Sequence, residues 1–178
     1  MQSGNGAAGR RQIRRLGHIG LYVRDLEKVR DFYRDVLGLT VTDQDVERGI
    51  VFMSARPDEE HHELALVRGR ETDDSVPMVQ QVSWQVDSLE AVLAFHTVFK
   101  ERGVNVRREV THGNAISIYF SDPEENQCEV YYSVNEDVLQ PFSRPINLEQ
   151  SSEDVLAESR RLVEEADRFR QPVGGRSG

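Results

Sequence analysis

The chain repeats itself. A shift of 63 residues lays His18 on Gln81, Val23 on Val86, Leu26 on Leu89, Glu27 on Glu90 and Phe32 on Phe95. A shift of 66 residues lays Pro57 on Pro123 and Glu63 on Glu129. A repeat constrains the fold more than any single motif, because each copy is one supersecondary unit whose apolar face needs its neighbour to cover it. Each copy reads as strand, helix, strand, strand, strand. The expected architecture is α+β: two βαβββ modules form a curved eight-stranded mixed sheet around a cleft, with the helices on the convex side.

The periodicities place the elements. In LGHIGLYV, Ile19, Leu21 and Val23 share one strand face, and His18, Gly20 and Tyr22 share the other. Asp25 caps a helix through Leu37, with Leu26, Val29, Phe32, Tyr33 and Leu37 at helical spacing and Gly38 at its stop. Strands follow near 39–45, 49–55 and 62–68. In the second copy Val82, Trp84 and Val86 alternate with Gln81, Ser83 and Gln85. Ser88 caps a helix to about Glu101, ahead of Gly103, and strands follow near 104–110, 115–121 and 127–133.

The last two strands form a hairpin around the turn Asp122-Pro123-Glu124-Glu125-Asn126. Ile116, Ile118, Phe120, Cys128, Val130 and Tyr132 share its apolar face, and Ser117, Tyr119, Glu129 and Tyr131 share the other. A carboxylate in such a strand is costly unless it is paired, wet or bound to a metal. Glu129 therefore either sits on a solvated outer face, as one side of an antiparallel sheet often is, or has a partner. If the helices cover the apolar faces, the other faces line the cleft. His18, Gln81 and Glu129 then converge there from three strands, with Tyr22, Ser83, Ser117 and Tyr131 as lining.

The rest of the chain divides as 1–14, a mobile N-terminus; 15–134, the two-module domain (15–68 and 79–134); 135–170, an extended segment and C-terminal amphipathic helix; and 171–178, a disordered tail. Ser151 and Asp154 have capping-box spacing, and Val155, Leu162, Val163, Ala166 and Phe169 form one helical stripe. With 22 basic and 31 acidic residues the net charge is −9, which argues against a nucleic-acid partner. A single cysteine, Cys128, excludes an intrachain disulfide and CxxC zinc patterns, and its place on the apolar face predicts a buried, inert thiol. No apolar run is long enough for a membrane span and no secretory signal opens the chain, so a cytoplasmic protein with no membrane partner is expected. The C-terminal stripe needs cover from its own domain or from a second subunit, so a homodimer is one expected assembly.

LGHIGLYVRDLEKVRDFYRDVLGLTV and SIYFSDPEENQCEVYYS resemble the opening module and closing hairpin of the vicinal oxygen chelate superfamily, which includes glyoxalases, type I extradiol dioxygenases and fosfomycin- and bleomycin-resistance proteins. The resemblance covers residues 15–134. It is strongest to extradiol dioxygenases, which hold Fe(II), sometimes Mn(II), on two histidines and a carboxylate and act on catechols. It implies His18 as first ligand and Glu129 as carboxylate. EHHELAL implies His62 as an active-site histidine, and THG…IYFSDP implies His112 and Tyr119. Gln81 departs from that pattern, which has histidine there.

Eukaryotic-type glyoxalases use glutamine at this strand position, and His18, Glu63, Gln81 and Glu129 match their four ligand types. Three functions follow as expectations: a ring-cleaving dioxygenase-like enzyme with Fe(II), a glyoxalase-type lyase–isomerase with Glu63 or Glu129 as base, or a metal-free binding or resistance protein. Mn(II), Ni(II) and Zn(II) are the other metals the resemblance allows, and the substrate it implies is small, aromatic or carrying vicinal oxygens. One conflict stands within the sequence. Leu64 and Leu66 on the apolar side put Glu63 inward and His62 outward, whereas the dioxygenase resemblance needs His62 inward, by a bulge or a strand that starts just after it.

Overall fold

A computed structural model describes residues 16–71, 79–134 and 136–169, excluding the Phe169 side chain. The expected mobile N-terminus (1–14), most of the polar linker after residue 68 and the expected disordered tail (171–178) lie outside the described residues. The first module comprises β1 (Ile19–Val23), α1 (Leu26–Asp35), β2 (Thr40–Asp45), β3 (Ile50–Ser54) and β4 (Leu64–Arg68). The second comprises β5 (Val82–Gln85), α2 (Leu89–Arg102), β6 (Val106–Thr111), β7 (Ala115–Ser121) and β8 (Gln127–Ser133). A two-residue strand, β9 (Arg144–Pro145), and α3 (Ser152–Phe169) follow.

The strands form one sheet of four, ordered β1-β4-β3-β2, and one of five, ordered β5-β8-β7-β6-β9. In each module the first strand lies parallel to the last, and the other pairings are antiparallel. The repeat is therefore a repeat of topology. Its punctuation is the one the sequence carries. Asp25 accepts from the Lys28 amide at 3.0 Å and Ser88 from the Ala91 amide at 3.2 Å, caps that contribute on the order of 1 kcal/mol each. Gly103 ends α2 in the left-handed region, φ +64°. Ser151 caps α3 by accepting from the Asp154 amide and donating to its carboxylate.

One core spans both modules. Tyr33 of α1 is fully buried, with its ring edge-on to Trp84 of β5 at 6.2 Å, and its hydroxyl donates to Asp122 at 3.3 Å. Phe32 meets Phe120 of β7 at 6.3 Å. The turn after β7 reaches back to the first module, where Glu124 accepts from the Arg24 and Asp25 amides. The interface is thus apolar under the sheets and hydrogen-bonded at its rim, which sets the opposite faces of the two sheets side by side. Val155 of α3 is also fully buried, while Leu162, Val163 and Ala166 are half-buried, so this domain covers much of the stripe itself.

Candidate active site

Alternation within each strand delivers the site residues. In β1, Leu21 and Val23 are buried, while Tyr22 faces out, 67% exposed. His18 precedes β1 with the parity of Gly20 and Tyr22. In β5, Val82 is buried and Ser83 and Gln85 are exposed. In β8, Cys128 and Val130 are buried in the core, and Glu129 and Tyr131 lie on the other face. A cavity of about 290 Å³ opens where the two first strands meet, lined by His18, Glu63, Gln81, Ser83, Trp84 and Gln85 among others. The structure therefore brings His18 and Gln81 to one space, as the repeat implies.

Glu129 stands beside that space, only 6% exposed, so it is not on a solvated outer face. Its Oε2 accepts from Ser83 Oγ at 2.6 Å and from Gln81 Nε2 at 3.2 Å. Both donors are neutral, and no cationic side chain among the described residues pairs with it. A buried carboxylate held only by neutral donors leaves its charge uncompensated, which is the condition a bound cation relieves. The ring nitrogens of His18 also have no hydrogen-bond partner among the described residues. Gln81 directs its NH₂ at Ser83 and Glu129 and its Oε1 at Gln80 and Gln127, so to act as an oxygen donor beside Glu129 its amide must turn over. Among the described residues no three His, Cys, Asp or Glu side chains cluster as a cation site. As donor types, the imidazole of His18, the carboxylate of Glu129 and the amide oxygen of Gln81 are ones a divalent cation accepts.

His62 packs on His18, and Glu63 lines the cavity with it. β4 begins at Leu64, so His62 lies before the ladder and is free of its alternation. Its ring packs against His18 at 4.4 Å and Phe52 at 4.7 Å between centroids, and its Nδ1 lies 2.9 Å from His61 Nδ1. Burial lowers the His62 pKa, and the neighbouring His18 and His61 lower it further. Glu63 reaches the same cavity but is engaged elsewhere, accepting from the Ala55 amide at 2.8 Å and from Arg56 at 3.0 Å. Burial pushes its carboxyl up, but those donors outweigh burial and hold it below its ordinary value.

His112 and Tyr119 form a pair, with His112 Nε2 3.0 Å from the Tyr119 hydroxyl and Nδ1 2.8 Å from the Phe142 carbonyl. Tyr119 is the cross-strand partner of Glu129. Burial first, then the Glu129 carboxylate, pushes its phenol up to about 12, so it stays a hydrogen-bond donor at neutral pH. Ser117 is fully buried, and its Oγ has no hydrogen-bond partner among the described residues. Tyr131 is half-buried beside it.

Two contributors were not legible in advance. Arg108 lies 4.0 Å over the Tyr119 ring. It does so because a register shift between Val106 and Arg108 makes Arg108, and not Arg107, oppose Tyr119, and a bulge has no signature in this strand. Phe142 is 5% exposed and, with Val110 and Tyr119, buried apart from the main core. Its only sequence signal was an apolar residue in a proline-flanked stretch.

The family model "Glyoxalase/Bleomycin resistance protein/Dioxygenase superfamily" matches residues 15–130, and the chain belongs to that superfamily. It is 32% identical, over 69% of its length, to a manganese-dependent 2,3-dihydroxybiphenyl 1,2-dioxygenase from Geobacillus genomosp. 3, and 27% identical, over 65%, to biphenyl-2,3-diol 1,2-dioxygenase 2 from Rhodococcus globerulus. The chain spans 38% of the first relative's length and 61% of the second's. Among solved structures, a variant of the fosfomycin resistance protein FosX from Listeria monocytogenes, complexed with Mn(II) and 1S,2S-dihydroxypropylphosphonic acid, matches with a TM-score of 0.57 at 22% identity, over 70% of this chain and 94% of that one. That likeness concerns the fold. Among the described residues no helix is long and apolar enough to cross a membrane.

Proposed function

We propose that this chain is a metal-dependent enzyme acting on small molecules with two adjacent oxygens, of the extradiol ring-cleaving type. The observation that carries the reading is Glu129, a buried carboxylate without a cationic partner, beside a hydrogen-bonded Tyr119–His112 pair. His18 and Glu129 would hold the metal, with Gln81 as a weaker third donor. When bound, a divalent cation supplies Lewis acidity toward two adjacent substrate oxygens. Fe(II) is the metal this chemistry favours, and the manganese dependence of one dioxygenase relative makes Mn(II) the first alternative.

The chain's own groups have separate tasks. Tyr119 stays protonated, since its raised pKa keeps the phenol neutral, and its hydroxyl oxygen accepts from a substrate hydroxyl while its one hydrogen goes to His112. His112 offers a proton acceptor behind it. His62 is biased toward its neutral form, which suits it to take a proton from a substrate hydroxyl. Half-buried Phe52 and Tyr131 give an aromatic substrate apolar contact on the cleft face.

A glyoxalase-type reaction is the second reading, favoured by Gln81 and by Glu63 on the same cavity. It needs a carboxylate base, and Glu63, lowered in pKa and tied to Arg56, is poorly disposed to be one. The test is metal analysis of protein purified without oxygen, then loading with Fe(II) or Mn(II) and assay against catechols and a glutathione hemithioacetal. Catechol cleavage is the expected result. Isomerisation alone selects the second reading, and protein that takes up no divalent metal is a binding module.

A further inference from the structure

The segment between β8 and α3 lies outside both repeated modules and beyond the family match, yet it closes on the His112–Tyr119 pair. Gln140 Nε2 donates to the His112 carbonyl at 2.8 Å and approaches Asn114 Oδ1 at 3.3 Å. The Phe142 amide donates back to Gln140 Oε1 at 3.0 Å. Gly113 lets the segment come this close, because a Cβ there would lie 2.7 Å from Val138 Cγ1. These contacts, with the buried Phe142 ring, set the Phe142 carbonyl 2.8 Å from His112 Nδ1.

A carbonyl oxygen only accepts hydrogen bonds, so Nδ1 must carry hydrogen. In the neutral ring Nε2 is then bare and can only accept. The Tyr119 hydroxyl has one hydrogen and two acceptors in reach: His112 Nε2 at 3.0 Å and the cross-strand Glu129 carboxylate. We propose that Gln140–Phe142 is a positioning strap that holds His112 as its Nδ1–H tautomer, so that the Tyr119 hydrogen points to His112 and leaves Glu129 free for a cation. In the opposite tautomer Nε2–H donates to Tyr119, and the phenol turns its hydrogen onto Glu129. The residues that complete this site then extend to the C-terminal segment. The consequence for the cation rests on the proposed role of Glu129; the tautomer does not.

The test uses the full chain, metal-free, with ¹⁵N-labelled histidine. Long-range ¹H–¹⁵N correlation at mildly alkaline pH reads which ring nitrogen is protonated, and His112→Gln assigns the signals. Wild-type His112 is expected as Nδ1–H. Gln140→Ala is expected to shift it toward Nε2–H and to weaken Mn(II) binding by about 10-fold, the low end of the effect of a group supporting a metal ligand. Gln140→Glu keeps the acceptor for the Phe142 amide but loses both donors, and serves if the alanine variant does not fold. Its expected shift is in the same direction.

An Nε2–H tautomer in the wild type overturns the proposal. So does a tautomer unchanged by the folded Gln140 variant, whatever happens to Mn(II) affinity, and so does an unchanged Mn(II) affinity despite a shifted tautomer. A wild type that takes up no Mn(II), or any other divalent metal, while the tautomer shifts as expected overturns the metal reading of the site and the cation half of the proposal, and supports the tautomer half.

Discussion

Glu129→Gln should reverse its effect on stability according to whether metal is present. The residue is 6% exposed, and its two hydrogen bonds come from the neutral groups of Ser83 and Gln81. A buried ion pays a desolvation cost of several kcal/mol, and two neutral hydrogen bonds return about 1.5–3 kcal/mol each at most. Glutamine has the same shape, can still accept from Ser83 and removes the charge. In EDTA the variant should therefore match the wild type or exceed it by about 1–3 kcal/mol. With free Mn(II) at one hundred times its dissociation constant, the wild type should gain about 2.7 kcal/mol and the variant less than about 1. Urea unfolding with and without Mn(II) gives both numbers. A variant that loses more than about 1 kcal/mol in EDTA would show that Glu129 serves the fold, and a full Mn(II) response in the variant would remove it from the ligand set.

Three further outcomes are expected. Gly113→Ala combines a φ of +75° with contacts of 2.7 to 2.9 Å to Val138 and Val163 and should cost about 2–4 kcal/mol in urea unfolding; a change below about 0.5 would mean that the strap and α3 do not press on this turn. Cys128 is fully buried and its thiol is pushed up to about 12, first by burial, so a disulfide reagent at neutral pH should label it only after denaturation. Rapid labelling of native protein would contradict that. For Glu63 the folded pKa is depressed, so its stabilisation is present above the ordinary value of 4.5 and is lost as pH falls through the folded value. Wild type should therefore lose its stability advantage over Glu63→Gln in acid, and a pH-independent difference between the two would refute the assignment.

The comparison of Glu129 with His62 shows how far strand parity carries. Glu129 lies in the middle of a seven-residue strand, where alternation is enforced by ladder hydrogen bonds on both sides, and its face could be read directly. His62 lies two residues before its strand begins, where nothing enforces alternation, so parity alone does not decide its side, while Glu63 lines the cavity as parity expects. Arg108 fell to the same cause, since a single bulged residue moves the following side chain across the sheet.

What the sequence determined by itself is what local chemistry and repetition encode. Asp25 and Ser88 start helices, Gly103 ends one, and the alternation in β5, β7 and β8 assigns one face to the core and one to the cleft. The repeat then required two modules sharing one core, because neither could bury its apolar face alone. The tertiary structure decided what no local rule reaches. It laid the His62 ring against His18, took Glu63 away to Arg56, and folded Gln140–Phe142 over the His112 turn. These are contacts between segments without periodicity, and a backbone carbonyl such as that of Phe142 is the same group in every residue, so its partner is set only by where the chain packs.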